Sequence, residues 1–493
     1  MPTISQMSKK SNLYALLDLP IDATPEQVRR AYREAARRLH PDINVQPGDT
    51  QLFMEIQEAY DILSDPEKRS EYDASIGPEL DNLQPVQINT LFSRSKLPRI
   101  KEPQLIYATI SLAQRENGSS PLSFPTNLCL VIDSSTSMQG VCMDTVKETA
   151  IELTRLMKPH DVFSLVSFND RAEVLISGGT KQDYPKFAST IRMLKTGGGT
   201  EIYQGLQAGV SEVSKNRRKG CFNHVILLTD GHTYGDEPAC QDLATQAANA
   251  GIGITTLGIG TRWNDIFLDS IASKTGGNSI YIANPDQIHD SLSEVFNGIS
   301  KSITENITYR FELGPAVELK YAFRLQPDAA PLGIESPLKL GGIPRNGTSS
   351  LILEFLVQEV PKDISYLSLA KGRITLGNPT PPEKPIEIRL DLTREIGSTT
   401  TFESPPPSIM QAMSRLTLYR MQEQAQKELK AGHAKEATRR LQNLATHLLS
   451  LGESDLALAV LKEVDNINNS RNLSEEGIKR IKYGTRSLIK PST

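Results

Sequence analysis

The stretch Leu128–Ile132, an unbroken apolar run, limits the fold more than any other feature of the chain. A half-exposed strand alternates apolar and polar residues, whereas a continuous run this short suits a strand buried on both faces. The segments "DVFSLVSF", "HVILLTD", "GIGITTLGIG" and "NSIYIA" have the same character. Helical spacing fills the gaps between them, near 141–157, 184–195, 201–215, 238–250, 264–275 and 286–300. Strand and helix in strict alternation predict an α/β, doubly wound, Rossmann-like domain with a parallel sheet. Ligands of such sheets bind beyond the carboxyl ends of the strands.

Chemistry-bearing residues fall at those ends. Asp133, Ser135 and Ser137 form a D-x-S-x-S motif directly after the first strand. Asp230 closes the strand ending "LLTDG", and Thr200 follows the "TGGG" loop before a helix. Outside a sheet, such residues would read as turn formers and helix caps. At the rim of one sheet, two carboxylates and three hydroxyls can converge. An oxygen-only set suits Mg²⁺ or another hard divalent cation. If the neutral hydroxyls bind directly and the aspartates act partly through water, the ion stays electron-poor and favours a carboxylate from a partner. The set resembles the metal-ion-dependent adhesion site of von Willebrand factor A domains, with all five positions present over about 126–300. The resemblance implies a binding module whose metal, usually Mg²⁺, takes an acidic residue of a protein ligand. His232, two residues past Asp230, reads as a loop histidine with no base–nucleophile arrangement around it.

On either side the periodicity changes. From about 301 to 398 the segments "ITYRFEL", "VELKYAFRL", "PLKLGGI", "SLILEFLVQEV", "GRITLG" and "IEIRLDL" predict an antiparallel β-sandwich. The stretch 104–116 has the same pattern but precedes the α/β domain, so that domain is expected to be inserted in the sandwich. A helical domain is expected over 405–467. Within it "LKAGHAKEATRRL" and "LSLGESDLALAVL" align, leaving open a stacked repeat scaffold or a small bundle for packing or self-association. Residues 468–493 read as a loose polar tail, and 76–103 as a linker.

The N-terminal region is all-α. Thr24-Pro25-Glu26-Gln27 has the form of a helix start, with a capping threonine, proline at the first helical position and glutamine able to close a capping box. Val28, Ala31, Tyr32, Ala35 and Leu39 then make one apolar stripe. Arg29, Arg30, Arg33, Arg37 and Arg38 lie mostly off it, and Pro41 ends the helix. Leu52, Phe53, Ile56, Ala59, Tyr60 and Leu63 mark a second helix, so the two are expected to form a hairpin with His40, Pro41 and Asp42 in the loop. Over 11–75 the sequence resembles the J-domain of DnaJ-type co-chaperones, through the hairpin, the HPD tripeptide and the closing "DPEKRSEYD". Asp18 stands where that family usually has glycine, in a turn away from the loop. The resemblance implies that His40, Pro41 and Asp42 trigger ATP hydrolysis by a DnaK-type chaperone. It makes Arg29, Arg30, Arg33 and Arg37 the docking charges. The family's zinc-finger cysteines and Gly/Phe-rich linker are absent.

The totals exclude several classes. Across 493 residues the net charge is −4, which argues against a general nucleic-acid binder. Cys129, Cys142, Cys221 and Cys240 form no CxxC pair, so neither a structural zinc site nor a secreted disulfide framework is expected. No signal peptide or membrane span is read, and the expected location is cytoplasmic. GxxxxGK[ST], HExxH and G-x-S-x-G are missing, so the chain is expected not to be an enzyme. The reading is a co-chaperone that stimulates a DnaK-type ATPase and binds a protein client or assembly through a Mg²⁺-dependent domain. The alternative is a metal-dependent scaffold that recruits the chaperone for its own remodelling.

Overall fold

The computed structural model describes residues 13–17, 19, 23, 25–39, 49–65, 68–69, 72, 86–115, 124–217, 221–232, 235–358, 360, 364–377, 386–397 and 404–489. The chain divides into two units, Met1–Gln87 and Ile88–Thr493.

In the first unit, helices α1 (Leu13–Leu16), α2 (Pro25–Leu39) and α3 (Asp49–Leu63) surround a small core. The expected stripe supplies it: Val28 and Ala35 from α2 meet Ile56, Ala59 and Leu63 from α3, with Tyr14, Leu17 and Tyr72 closing the cluster. Tyr32 stacks on Tyr60 with ring centroids 4.2 Å apart. Leu13 N–H donates to the Tyr72 hydroxyl at 2.9 Å, and Arg69 Nε donates to the Tyr14 hydroxyl at 3.0 Å. These bonds tie Arg69 and Tyr72 to α1. Arg29, Arg30 and Arg33 are exposed, off the apolar stripe. The Arg37 side chain, Asp18, Thr24 and the His40, Pro41, Asp42 tripeptide lie outside the described residues.

The second unit contains three sheets. The six-stranded one has the order β6-β5-β4-β7-β8-β9. Its strands are β4 (Thr126–Asp133), β5 (Val162–Phe168), β6 (Ala172–Gly179), β7 (Phe222–Thr229), β8 (Gly253–Ile259) and β9 (Ser279–Ile282). Helices α4 (Val141–Leu156), α5 (Tyr184–Arg192), α6 (Ile202–Lys215), α7 (Glu237–Asn249), α8 (Asp265–Thr275) and α9 (Ile288–Ser300) cover its faces. The apolar run in β4 has the anticipated cause. Leu128, Leu130 and Ile132 join the core on one face, and Cys129 and Val131 join the core on the other. The sheet is not wholly parallel, however. The edge strand β6 runs antiparallel to β5, because the short turn between Phe168 and Ala172 can only reverse the chain.

Two five-stranded sheets form the sandwich, ordered β1-β3-β14-β11-β12 and β13-β10-β15-β16-β2. Their strands are β1 (Val86–Phe92), β2 (Lys96–Pro98), β3 (Gln104–Gln114), β10 (Ser302–Leu313), β11 (Val317–Gln326), β12 (Ala330–Pro331), β13 (Leu338–Pro344), β14 (Thr348–Val357), β15 (Tyr366–Gly377) and β16 (Ile386–Gly397). Strand β3, before the α/β domain, pairs with β14, after it, from Gln104↔Val357 to Ala113↔Thr348. The α/β domain is therefore an insertion in the sandwich. The stretch 76–103, expected as linker, needs correction, since it contributes β1 and β2. The alternation in "VQINTLF" is a strand pattern, and it is pinned where Ser93 N–H donates to the Tyr107 carbonyl at 2.9 Å. Strand β2 pairs in parallel with β16, while β3, β14, β11 and β12 pair antiparallel in succession, as do β13, β10, β15 and β16.

Helices α10 (Pro407–Lys430), α11 (Ala434–Ser450), α12 (Ser454–Ser470) and α13 (Glu475–Ser487) form the C-terminal domain. The aligned positions Ala437/Ala457 and Leu441 lie in its core, while Leu461 stays partly exposed. The loose tail expected past 468 also needs correction: Glu475–Ser487 is helical, and its Lys479, Lys482 and Arg486 are buried. Lys482 and Arg486 each reach Asp269 of α8 at 2.7 Å. Lys482 also pairs with Asp265, and Lys479 Nζ donates to the Thr261 carbonyl. Burial alone would raise the Asp269 pKa, but the charges of Arg486 and Lys482 outweigh it and hold the carboxyl well below the usual range.

A charge this buried is costly without its partners. Asp269→Ala should lower stability by about 3–5 kcal/mol, read by denaturant unfolding at neutral pH. Because the folded-state pKa is depressed, the contribution is complete above the ordinary value of 3.8 and is lost as pH falls below it. Wild type should thus lose stability on acidification more steeply than the variant.

Candidate functional site

Strand β4 lies between β5 and β7, and its carboxyl end delivers Asp133 to the rim. Asp133 is fully buried, with Ser134 and Ser135 almost so. Ser135 N–H donates to Asp133 Oδ1 at 2.8 Å, folding the chain back over the carboxylate. A short 3₁₀ turn, Thr136–Met138, then brings Ser137 round. The Ser135 and Ser137 hydroxyl oxygens are 3.2 Å apart, and Ser137 Oγ donates to Asp230 Oδ1 at 2.7 Å. Asp133, Ser135, Ser137 and Asp230 therefore form one hydrogen-bonded chain across two loops.

Thr200 reaches the same place from a third loop. A Cβ added to Gly231 would lie 3.0 Å from Thr200 Oγ1, so this hydroxyl packs directly on the residue after Asp230. The loop before it is sewn to the first: Thr136 N–H and Oγ1 both donate to the Gly198 carbonyl, at 3.2 and 3.1 Å. Gly197 N–H donates to the Ser134 carbonyl at 2.8 Å. All five sequence-predicted positions are thus gathered at one rim. His232 is half-buried on the same loop as Asp230.

Thr229 was not legible as part of this group. Its buried hydroxyl donates to Asp133 Oδ2 at 2.6 Å and accepts from Gly231 N–H at 3.2 Å. The signal was its place beside Asp230 at the strand end, but threonine is also an ordinary strand residue. Burial pushes the Asp133 carboxyl up from its ordinary value, the hydrogen bonds from Thr229 and Ser135 oppose that, and the neighbouring Asp230 charge adds to it. The thiol of Cys142, the second residue of α4, is pushed up to about 12 by burial and by the charges of Asp230 and Asp133. Among the described residues no group of three or more His, Cys, Asp or Glu side chains could hold a metal. Any ion here would rest on two carboxylates supplemented by hydroxyls. That is the donor chemistry of a hard cation with open positions.

Residues 12–73 match the DnaJ domain family, residues 127–294 the von Willebrand factor type A domain family, and residues 407–491 the Sll0103-like C-terminal alpha-helical domain. A J-domain and a von Willebrand factor A domain are both present in this chain. The chain is similar to the uncharacterized protein sll0103 of Synechocystis sp., 27% identical over 384 residues, covering 74% of this chain and 89% of that protein. Its N-terminal part is 51% identical over 67 residues to chaperone protein DnaJ 2 of Thermus thermophilus, which covers 14% of this chain and 24% of that protein. Among solved structures, a von Willebrand factor type A protein from Catenulispora acidiphila superposes with a TM-score of 0.65 at 15% identity, covering 81% of this chain and 96% of that one. The ArnB paralog VWA2 from Sulfolobus acidocaldarius gives 0.55 at 16% identity, over 82% and 99%. At such identities these structures speak for the fold alone. Among the described residues no helix is long and apolar enough to cross a membrane.

Thr229→Val keeps the shape of the side chain but removes the hydroxyl donated to a buried carboxylate. It should cost about 1–3 kcal/mol of unfolding free energy at neutral pH. Urea denaturation of wild type and variant checks this.

Proposed function

We propose that this chain is a J-domain co-chaperone that stimulates the ATPase of a DnaK-type chaperone and binds a protein client or assembly through a divalent cation at the A-domain rim. The observation that carries the proposal is the chain of contacts from Asp133 through Ser135 and Ser137 to Asp230, with Thr200 beside it, in a polypeptide that also bears a J-domain. The donor set fits Mg²⁺: the atoms are all oxygen, and the Asp133 carboxyl, pushed up first by burial and further by the like charge of Asp230, gains from a cation beside it. Asp133, Ser135, Ser137, Thr200 and Asp230 would hold the ion. When bound, it supplies a positive centre for an acidic side chain of the partner. The residues themselves do the positioning: Thr229 fixes the Asp133 carboxylate, and Ser137 bridges the two loops.

The J-domain supplies the other half. The exposed Arg29, Arg30 and Arg33 on α2 present a positive face for the chaperone, and Arg37 follows them in sequence. His40, Pro41 and Asp42 follow that helix in sequence and carry the trigger. Neither role requires the chain to catalyse a reaction. J-domain proteins of this type are regulators, and the A domain is an interaction module.

Two outcomes test the two halves separately. His40→Gln should abolish stimulation of a DnaK-type ATPase in a steady-state assay while circular dichroism stays that of wild type; undiminished stimulation would remove the activator role. Ser135→Ala should reduce Mg²⁺-dependent partner capture to the level seen in EDTA. Capture indifferent to both EDTA and the substitution would remove the metal-bridged binding.

A further inference from the structure

We infer that Asp170 and Asp236 are positioning residues that hold Thr200 ready for the cation without binding it themselves; this rests on the metal-site reading above. Thr200 opens the segment leading into α6, between two backbone N–H groups that are each taken by a carboxylate from a different loop. On one side Gly199 N–H donates to Asp170 Oδ1 at 2.9 Å. On the other Tyr203 N–H donates to Asp236 Oδ2 at 2.8 Å.

The glycines of the "TGGG" loop make room for the first clamp. Gly198 has φ +83°, in the left-handed region, and a Cβ there would lie 2.5 Å from Asp170 Oδ2. A Cβ on Gly199 would lie 2.7 Å from Asp170 Oδ1. The carboxylate thus occupies space that any other residue in the loop would fill. Asn169 reinforces it: its Nδ2 donates to the Gly197 carbonyl at 2.8 Å, and its carbonyl accepts from Glu201 N–H at 2.9 Å. The turn between β5 and β6 is therefore a fourth wall of the site.

The second clamp links Thr200 to a metal-site aspartate. Asp236 and Asp230 belong to the same connection between β7 and α7. A carboxylate accepting from backbone N–H makes a charge-assisted bond, and the start of α6 adds a favourable helix dipole. Held at both flanks, Thr200 needs little further ordering when an ion arrives. Partners that orient a ligand in this way commonly govern metal affinity about 10–100-fold.

The test uses the full-length chain stripped with EDTA. Calorimetry with MgCl₂ gives the affinity, and hydrogen exchange of the metal-free protein gives protection at Gly199 and Tyr203. Asp170→Ala and Asp236→Ala should each weaken Mg²⁺ binding by about tenfold or more and raise exchange at the amide that the lost carboxylate had accepted. Asp170→Asn, which keeps an acceptor oxygen, should restore most of the affinity. Asp133→Asn reports on the site itself and should lose binding outright. Alanine variants that bind as wild type while Asp133→Asn does not would overturn the positioning role alone. Asp170→Asn failing as completely as Asp133→Asn would make Asp170 a ligand and equally overturn it. Wild type that takes up no Mg²⁺ would overturn the metal-site reading, and this inference with it.

Discussion

Buried cations hold the A domain to its neighbours. Arg324, on a sandwich strand, is almost wholly buried and gives its guanidinium to the Gly276 and Gly277 carbonyls at 2.7 Å each. Arg486, on the last helix, is buried too, and meets Asp269 at 2.7 Å while donating to the Tyr419 hydroxyl at 3.2 Å. Both converge on the stretch from α8 to β9. Desolvating a guanidinium costs several kcal/mol, so such groups persist only where acceptors are waiting. Here the inserted domain supplies the 2.7 Å acceptors of both, beside acceptors from the cations' own domains: the Asp328 and Leu340 carbonyls for Arg324 and the Tyr419 hydroxyl for Arg486. The sandwich and the C-terminal helices thus each set a buried cation against acceptors of the A domain, two backbone carbonyls for Arg324 and a carboxylate for Arg486.

This explains how the rim at the strand ends can be held still. The α/β domain is fixed at its N-terminal side by β3, which pairs with β14 of the sandwich. At its C-terminal side α9 ends at Ser300 and β10 begins at Ser302, so almost no slack separates them. The edge strand β9 is further covered by α13, where Ser279 and Tyr483 share a hydrogen bond at 3.1 Å. The bracing thus falls on β9 and on the two ends of the insertion.

Much of this was legible in the sequence, and the failures have physical causes. Leu128–Ile132 announced a strand buried on both faces because alternate residues feed two cores. Asp133, Ser135, Ser137, Thr200 and Asp230 were legible because topology alone sends strand ends to one rim. Helix α13 was missed because Lys479, Lys482 and Arg486 look like solvent-facing charges. Their partners on and before α8 are more than 200 residues away, so no local pattern could reveal the pairing. Strand β1 was missed because its alternation is short and lies in a polar stretch. Thr229 bonds across two strand ends and Asp170 across two loops, contacts that spacing along one chain does not encode.

The account turns on an ion bound by groups from three loops of one rim. Anomalous diffraction from crystals grown with Mn²⁺, a hard cation that scatters where Mg²⁺ does not, would locate it. The predicted result is a single strong peak within coordination distance of the Ser135 and Ser137 hydroxyls and enclosed by Asp133, Thr200 and Asp230. A peak elsewhere, or a rim whose serine and aspartate oxygens keep their hydrogen bonds with no ion among them, would contradict it.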